Sequence, residues 1–364
     1  MKKTVLTLIT AVVILGAIIA GGGAYLIYNF TSQAPSSSSQ EVVFEVEPGK
    51  SFNAVAAELE QKGLIRNAQF FSFYARLVGD RSKLKVGEYL FRTDMKPREV
   101  LDTLISGKSV ARSFTVSEGL STYEIADVFQ KQGFGTAEEF LRLTRDPEMI
   151  KSLLGPTEKA TSLEGYLFPE TYMLTKFTDT RTLVSNMVRR FLHVYNEVTA
   201  LKQSSMNRTE TVTLASIIEK ETGAPEERPV ISSVFHNRLA KGMRLQTDPT
   251  VIYGKALHLG KIVINITKAD LMTPTPYNTY TINGMPPGPI ANPGREALMA
   301  AIDPAKTEYL FFVSQNDGRH VFTSTYQDHV QAVQKFQINR KAREGKSWRD
   351  LNKKPTPGTA TTGK

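Results

Sequence analysis

The chain repeats Phe44-Glu-Val-Glu-Pro-Gly49-Lys-Ser51 seventy positions later, as Phe114-Thr-Val-Ser-Glu-Gly119-Leu-Ser121. The register continues beyond these two stretches, where four further pairs match: Ala56 with Ala126, Leu59 with Phe129, Gly63 with Gly133 and Phe70 with Phe140. So many matches at one offset indicate an internal repeat, and a repeat constrains the architecture before any single element is considered.

Both copies predict a strand, a glycine turn and a helix. Apolar residues alternate before the turn, as in a half-buried strand. The hydroxyl of Ser51 or Ser121 is placed to accept the first free N–H groups of the helix that follows. Gly63 or Gly133 then suits the left-handed position just after the last helical residue. Each copy is therefore predicted to be one strand–helix unit.

The first copy continues into a longer module. A second helix is predicted over Ala68–Val78 and a strand over Val86–Phe91. The resulting β-α-α-β order resembles LysM-type modules, which bind chains that contain N-acetylglucosamine. A small α+β spacer without a ligand has the same pattern, so both interpretations stay open.

The N-terminal stretch predicts a membrane anchor. Val5–Tyr28 is almost wholly apolar, and a helix of this length crosses a hydrocarbon core about 30 Å thick. Lys2 and Lys3 precede it, and positively charged flanks stay in the cytoplasm. A cleaved signal peptide, with the small residues Ala20–Ala24 as its cleavage site, is the alternative. Under either interpretation the rest of the chain is exported. A retained anchor predicts a single-pass protein of the cytoplasmic membrane.

Composition excludes several functions. The chain has no cysteine, which removes thiol catalysis, disulfides and thiolate metal sites. The five histidines are scattered, no His-Glu-x-x-His pair exists, and no Gly-x-Ser-x-Gly elbow is present. No metal and no cofactor is expected. The net charge is +9, with nine basic and two acidic residues from Lys335 onward. For an exported protein this predicts a basic solvated tail rather than nucleic-acid binding.

The chemistry is predicted on one helix, Thr211-Val-Thr-Leu-Ala-Ser-Ile-Ile-Glu219-Lys220-Glu221-Thr222-Gly223. At about 100° per residue, Glu221 falls on the same apolar face as Ile217 and Ile218. Burial disfavours the charged form of a carboxyl, so its pKa should rise, which suits a general acid near neutral pH. A solvated Glu-Lys-Glu run at a helix end is the plainer alternative.

At this point the chain resembles the endolytic murein transglycosylases, the YceG-like family. The motifs that carry the resemblance are Glu164–Tyr172, Ala215–Thr222, Val234–Leu239, Met243–Tyr253, Tyr277–Tyr280 and Gly284–Ile290. The family's catalytic glutamate falls on the second acidic residue of Glu-Lys-Glu-Thr, which is Glu221. The resemblance covers the anchor, the LysM-like part and the catalytic domain.

The resemblance implies that Glu221 cleaves peptidoglycan glycan strands without water and leaves 1,6-anhydromuramic ends. It also implies work beside peptidoglycan synthases at the membrane. The residues expected to contact sugar are Glu170, Glu219, Thr222, Gln246, Asp248, Tyr253, Tyr277, Asn278 and Tyr280. A hydrolytic muramidase and a non-catalytic glycan-binding scaffold remain the alternatives.

Together these features predict an α+β fold in consecutive parts. The parts are a cytoplasmic stub and transmembrane helix at 1–30, a flexible spacer at 31–40, a LysM-like module at 41–110, a YceG-like catalytic domain at 111–343 and a disordered basic tail at 344–364. Within the catalytic domain, 111–200 holds the second repeat copy and connecting helices, and 201–343 holds the catalytic core. Helices are predicted at Leu183–Val198 and His329–Arg343, loops from Gly242 to Pro304, and a hairpin around Asn316-Asp317-Gly318.

Overall fold

The structure is a computed structural model that describes residues 2–175 and 177–339. The described chain is a mixture of helices and short two-stranded sheets, and it divides into two compact units. The first unit runs to Ser113 and includes Met173–Thr178; the second comprises Phe114–Tyr172 and the chain from Asp179 onward. The predicted tail at 344–364 lies outside the described residues.

The first unit contains an N-terminal helix and a β-α-α-β module. Its elements are α1 (Lys2–Ser32), β1 (Glu41–Val46), α2 (Phe52–Gln61), α3 (Ala68–Leu77), β2 (Gly87–Arg92) and α4 (Pro97–Ser106). Strands β1 and β2 are antiparallel, with Phe44 opposite Tyr89. The predicted helix and strand after the first repeat copy are confirmed, each within one residue at the boundaries that differ.

Local capping explains why these helices begin and end where they do. The Ser51 side chain accepts a hydrogen bond from the Ala54 N–H, and Asn67 does the same for Phe70 at the start of α3. Gly63 has φ +70°, a conformation that costs glycine little. The predicted serine cap and glycine stop are therefore confirmed.

The segment 31–40, predicted as a flexible spacer, makes hydrogen bonds to the first unit. Helix α1 continues to Ser32, and the Arg66 guanidinium donates hydrogen bonds to Gln33 Oε1 (2.9 Å) and the Ala34 carbonyl (2.6 Å). The Ser36 N–H donates to the Thr93 carbonyl at 3.2 Å. The serine-rich composition indicated a mobile segment. In the structure, the Arg66 side chain and backbone hydrogen bonds hold it.

The second repeat copy opens the second unit. After β3 (Arg112–Thr115), Ser121 and Glu124 form a reciprocal capping box at the start of α5 (Thr122–Lys131). Gly133 has φ +73°, and α6 (Ala137–Leu143) occupies the position of α3 in the first copy. The repeat thus extends through the second helix.

The rest of the second unit is largely helical. Its elements are α7 (Pro147–Leu154), β4 (Thr171–Leu174), α8 (Thr180–Leu201), α9 (Arg208–Glu221), α10 (Arg228–Ala240), α11 (Asp248–Leu259), α12 (Lys268–Met272), α13 (Arg295–Ile302), β5 (Phe311–Ser314), β6 (His320–Thr323), α14 (Tyr326–Val333) and a π-helical turn at Gln334–Ile338. Strand β3 pairs with β4, and β5 with β6. The predicted hairpin and the helix over 183–198 are confirmed.

Helix α9 lies at the centre of this unit. It packs against α10, α11 and α13, and every residue from Thr211 to Ile218 is buried. We expected one apolar face, but the middle of the helix is covered on all sides and α9 meets solvent only in its first and last turns. Glu221 lies in the accessible last turn.

Two predicted boundaries were wrong. The region from Gly242 to Pro304 was expected to be loops, yet it contains α11 and α13. Helix α11 was not predicted because Gly254 lies in its interior, where glycine is disfavoured. A Cβ atom there would lie 3.0 Å from Tyr277 Cβ, so close packing explains the glycine. The closing helix begins at Tyr326 rather than His329, and its predicted end at Arg343 lies outside the described residues.

Candidate active site

Glu221 is the last residue of α9 and is only partly exposed. Its carboxyl accepts a hydrogen bond from the Thr247 hydroxyl. Burial raises the pKa of Glu221, and the nearby charge of Asp248 raises it further. The Thr247 bond and the charges of His320 and Arg238 act in the opposite direction but leave a net rise. A carboxyl in this position holds a proton above its ordinary pKa.

The loop that carries Thr247 is held rigidly. Thr279 Oγ1 accepts a hydrogen bond from the Thr247 N–H at 3.0 Å, and Thr250 Oγ1 donates to the Thr247 carbonyl at 2.7 Å. The preceding residue, Gln246, has an exposed side chain and φ +50°. A left-handed backbone at a residue other than glycine is strained, and such strain clusters at functional sites.

Asp248 and Tyr280 form a pair beside this loop. The Tyr280 hydroxyl donates a hydrogen bond of 2.6 Å to Asp248 Oδ1, and Asp248 opens α11. Burial raises the pKa of Tyr280, and the Asp248 carboxylate adds to that rise. The structure therefore brings together three residues expected at the site, Glu221, Asp248 and Tyr280. Thr247 joins them.

The side chains of Arg238 and His320 also act on Glu221, and both lower its pKa. Arg238, almost fully buried, donates hydrogen bonds of 2.6 Å to the carbonyls of Leu310 and Leu245, and burial lowers its pKa. His320 Nδ1 lies 2.7 Å from Glu227 Oε2. Sequence reasoning assigned no role to Thr247, Arg238 or His320. Arg238 and Thr247 do lie within the motifs Val234–Leu239 and Met243–Tyr253, whereas His320 lies in no motif.

The β5–β6 hairpin reaches the end of α9. A Cβ atom on Gly223 would lie 2.6 Å from the Gly318 carbonyl oxygen, so the two backbones are in direct contact. The loop between β5 and β6, which carries Gly318, thus packs against the turn that follows Glu221. Only glycine at position 223 permits this approach.

Glu219, expected to contact sugar, is used inside the protein. Its side chain is 6% exposed and lies 2.9 Å from Arg228 Nη2. Its other oxygen accepts a hydrogen bond of 3.0 Å from the Gly294 N–H. The Thr222 hydroxyl likewise donates to the Ile218 carbonyl at 2.7 Å. Both side chains stabilise the end of α9.

The turn of the second repeat copy supports the same helix end. Lys220 Nζ donates a 3.0 Å hydrogen bond to the Gly119 carbonyl, and Arg228 lies 3.4 Å from Glu118. A Cβ atom on Gly294 would overlap the Glu118 carboxyl at 1.9 Å. This cluster of Glu118, Gly119, Lys220 and Arg228 fixes where α9 ends.

Tyr253 and Tyr277 lie in a second polar region, around Glu164. Their ring centroids are 5.0 Å apart, and the Tyr253 hydroxyl interacts with the buried Glu164 carboxyl. That carboxyl also accepts hydrogen bonds from the Thr122 N–H (3.0 and 3.1 Å) and from Asn292 Nδ2 (3.2 Å). Burial raises the pKa of Glu164 to about 7. A cavity of about 300 Å³ adjoins this region.

Asn278, expected to contact sugar, is buried in the structure. Its side chain is 0% exposed. Its amide nitrogen donates to the carbonyls of Asp270, Leu271 and Thr273, and its oxygen accepts from the Tyr280 N–H. Asn278 therefore shapes the loop beneath Tyr280.

Glu170 is occupied elsewhere. It forms a two-pronged ion pair with Arg190, at 2.9 and 3.1 Å, and both side chains are partly exposed. Within the described part of the chain, this pair has no link to Glu221. The expected site is thus divided: one group surrounds Glu221, a second surrounds Glu164, and Glu170 lies in neither.

Comparison with known proteins places these residues in a family context. A model of the YceG-like family matches residues 44–335. An endolytic murein transglycosylase of Bacillus subtilis (strain 168) is 31% identical over 333 residues, covering 86% of this chain and 90% of the relative. One from Streptococcus pneumoniae (strain ATCC BAA-255 / R6) is 30% identical over 361 residues, covering 89% of this chain and 64% of the relative.

A solved structure is also similar. The crystal structure of a yceG-like protein from Listeria monocytogenes is 35% identical, with a TM-score of 0.53. The match covers 81% of this chain and 99% of that protein.

Proposed function

The chain belongs to the YceG-like family, and from this premise we propose that it is an endolytic lytic transglycosylase of peptidoglycan. It cleaves the β-1,4 bond between N-acetylmuramic acid and N-acetylglucosamine and leaves 1,6-anhydromuramic ends. The observation that carries the mechanism is the carboxyl of Glu221, raised in pKa by burial yet placed at the open end of a buried helix.

Glu221 acts first as an acid and then as a base. Its proton passes to the glycosidic oxygen, the C1–O bond breaks, and the bonding electrons leave with the N-acetylglucosamine oxygen. The muramic C6 hydroxyl then attacks C1, and its proton returns to the Glu221 carboxylate. No water is consumed. One carboxyl suffices because the nucleophile belongs to the same sugar and is already in place.

The neighbours of Glu221 have separate roles in this proposal. Thr247 orients the carboxyl through its hydroxyl. Gln246, Asp248 and Tyr280 contact the sugars, since their polar groups lie at the surface beside Glu221. Tyrosine rings pack on the apolar faces of sugars, and carboxylates accept hydrogen bonds from hydroxyls.

The first unit positions the enzyme. We propose that the β-α-α-β module of residues 41–110 is LysM-like and binds glycan, and that 111–343 form the catalytic domain. Residues Val13–Ser32 are long and apolar enough to cross a membrane, with mean hydropathy 1.7. In this proposal α1 spans the cytoplasmic membrane, the remaining chain lies on its outer side, and peptidoglycan synthases are the protein partners.

Product analysis tests the function. The full-length protein, in detergent, is incubated with uncrosslinked glycan, and the new ends are weighed by mass spectrometry. We expect anhydro ends, which are one water lighter than the reducing ends that a muramidase makes. Reducing ends would replace the proposal with hydrolysis, and no new ends with intact glycan binding would leave a scaffold.

A further inference from the structure

Helix α1 enters the first unit without a linker. Ile27 and Phe30, which lie within the candidate span Val13–Ser32, pack against the core of that unit. The Phe30 and Phe70 ring centroids are 4.8 Å apart. The first unit therefore begins beside the last turns of the span rather than beyond its end.

A cavity shows how deep this contact reaches. It has a volume of about 660 Å³. Its lining combines Leu26 and Phe30 of α1 with Phe70 and Phe73 of α3. Leu26 and Phe73 line the same cavity, together with polar side chains that include Asn29 and Arg66, so Phe73 lies level with the last turns of α1.

Depth along the helix identifies the occupant. The apolar run Val5–Tyr28 is the stretch predicted to cross the membrane, and Leu26 precedes its end by two residues, about 3 Å at 1.5 Å rise per residue. If this run fills a hydrocarbon core about 30 Å thick, Leu26 lies at the outer edge of that core. Phe73 then lies at the boundary between hydrocarbon and headgroups, although it belongs to the unit outside the membrane.

The exposed face of α3 has the composition for such a boundary. Phe73 is 52% exposed and Leu77 is 59% exposed, and the two lie four residues apart on one helical face. Val78, which follows the last residue of α3, is also exposed, and Arg76 lies beside this face in solvent. Apolar side chains flanked by arginine are typical of helices that lie in the lipid interface.

We propose that α3 is a second membrane contact: Phe73, Leu77 and Val78 insert into the lipid interface beside α1 and hold the first unit on the bilayer surface. The inference rests on the proposed membrane anchoring by α1. The partner is the lipid bilayer, whose acyl-chain boundary meets the apolar face while its phosphates meet the adjacent arginine.

The chain has no cysteine, so single labels can be introduced without background. Three single-cysteine variants carry an environment-sensitive fluorophore: Phe73→Cys for α3, Ile19→Cys for the span, and Leu90→Cys as the matched control. Leu90 is 46% exposed, in β2 of the same unit, and is not among the residues that line the cavity. Exposed positions tolerate such changes.

The full-length variants are reconstituted in liposomes that carry nitroxide lipids, labelled either near the headgroup or deep in the acyl chain. The deep nitroxide should quench position 19. The shallow nitroxide should quench position 73 about twofold, as for side chains inserted at the headgroup boundary. Neither should quench position 90.

Each other outcome has a defined meaning. Quenching at 19 without quenching at 73 overturns the inference and leaves the anchor intact. Quenching at neither position refutes the membrane anchoring itself. Equal quenching at 73 and 90 indicates nonspecific adherence, and quenching at 73 that weakens at high protein-to-lipid ratio indicates a second copy on this face; either result overturns the proposal.

Discussion

Glu221 and Glu164 are two carboxyls with the same electrostatic tendency and different surroundings. Burial raises the pKa of both. Glu164 receives hydrogen bonds from the Thr122 backbone and the Asn292 amide, and it is 3% exposed. Glu221, among the described residues, accepts one from Thr247 and keeps partial exposure. A raised pKa alone therefore does not mark the chemical group; unused hydrogen-bonding capacity at an open surface does.

The largest expected effect separates the two carboxyls by turnover. Glu221→Gln should lower the formation of anhydro ends about a thousandfold, because the amide cannot donate the proton. Glu164→Gln should keep activity within about tenfold of the parent. The measurement is the initial rate of anhydro-end formation by the full-length protein. Loss of turnover in Glu164→Gln with unchanged stability would reverse the assignment.

The second effect concerns stability against pH. The unfolded Glu164 carboxyl loses its proton near its ordinary pKa of 4.5, while the folded one keeps it to about 7. Between these values the folded state binds more protons, so its stability falls as pH rises, by at most about 1.4 kcal/mol per pH unit. We therefore expect the free energy of unfolding of the parent, relative to Glu164→Gln, to decrease across this window. Denaturant titrations at several pH values measure it, and a parallel pair of curves would contradict it.

A smaller effect tests how the pKa of Glu221 is set. The Thr247 hydrogen bond lowers that pKa and the Asp248 charge raises it. In the proposed mechanism activity requires protonated Glu221 and so declines as pH rises through its pKa. Thr247→Val should move this decline to higher pH, and Asp248→Asn should move it to lower pH. Asparagine retains an oxygen for the Tyr280 hydroxyl. The measurement is the pH profile of kcat/KM for both variants. If both profiles shift in the same direction, this electrostatic explanation is refuted.

The smallest effect is expected outside both regions. Glu170 and Arg190 are each about two-fifths exposed. Exposed ion pairs contribute at most about 1 kcal/mol, so Glu170→Gln should change both stability and turnover very little. Thermal unfolding and the rate of anhydro-end formation check this. A loss of turnover comparable to that of Glu221→Gln would bring Glu170 back into the site.

Local signals predicted much of the fold. The serine caps, the left-handed glycines and the β5–β6 hairpin depend on neighbouring residues, which a sequence displays directly. Helix α11 was not predicted because Gly254 is explained by its close packing against Tyr277. That contact is remote in sequence. The hydrogen bonds of segment 31–40 to Arg66 and Thr93 are also remote in sequence, so composition did not indicate them.

The site was predictable as chemistry but not as geometry. The pattern around Glu221 correctly indicated a carboxyl with a raised pKa. Whether a polar side chain faces outward was not readable: Asn278 and Glu219 have all or most of their capacity used inside the protein. Thr247 left no periodic signal, because its role depends on where a loop meets the end of another helix.

The two copies of the repeated turn have come to differ in what they support. In the first copy, Lys50 beside the turn pairs with Glu58 of the same module. In the second, the Gly119 carbonyl holds Lys220 and Glu118 holds Arg228, next to the reactive carboxyl. One duplicated turn thus serves a contact within its own module in the first copy and braces the end of α9 in the second. A substitution in the first turn should therefore disturb only the local module, whereas one in the second should also displace the Glu221 carboxyl.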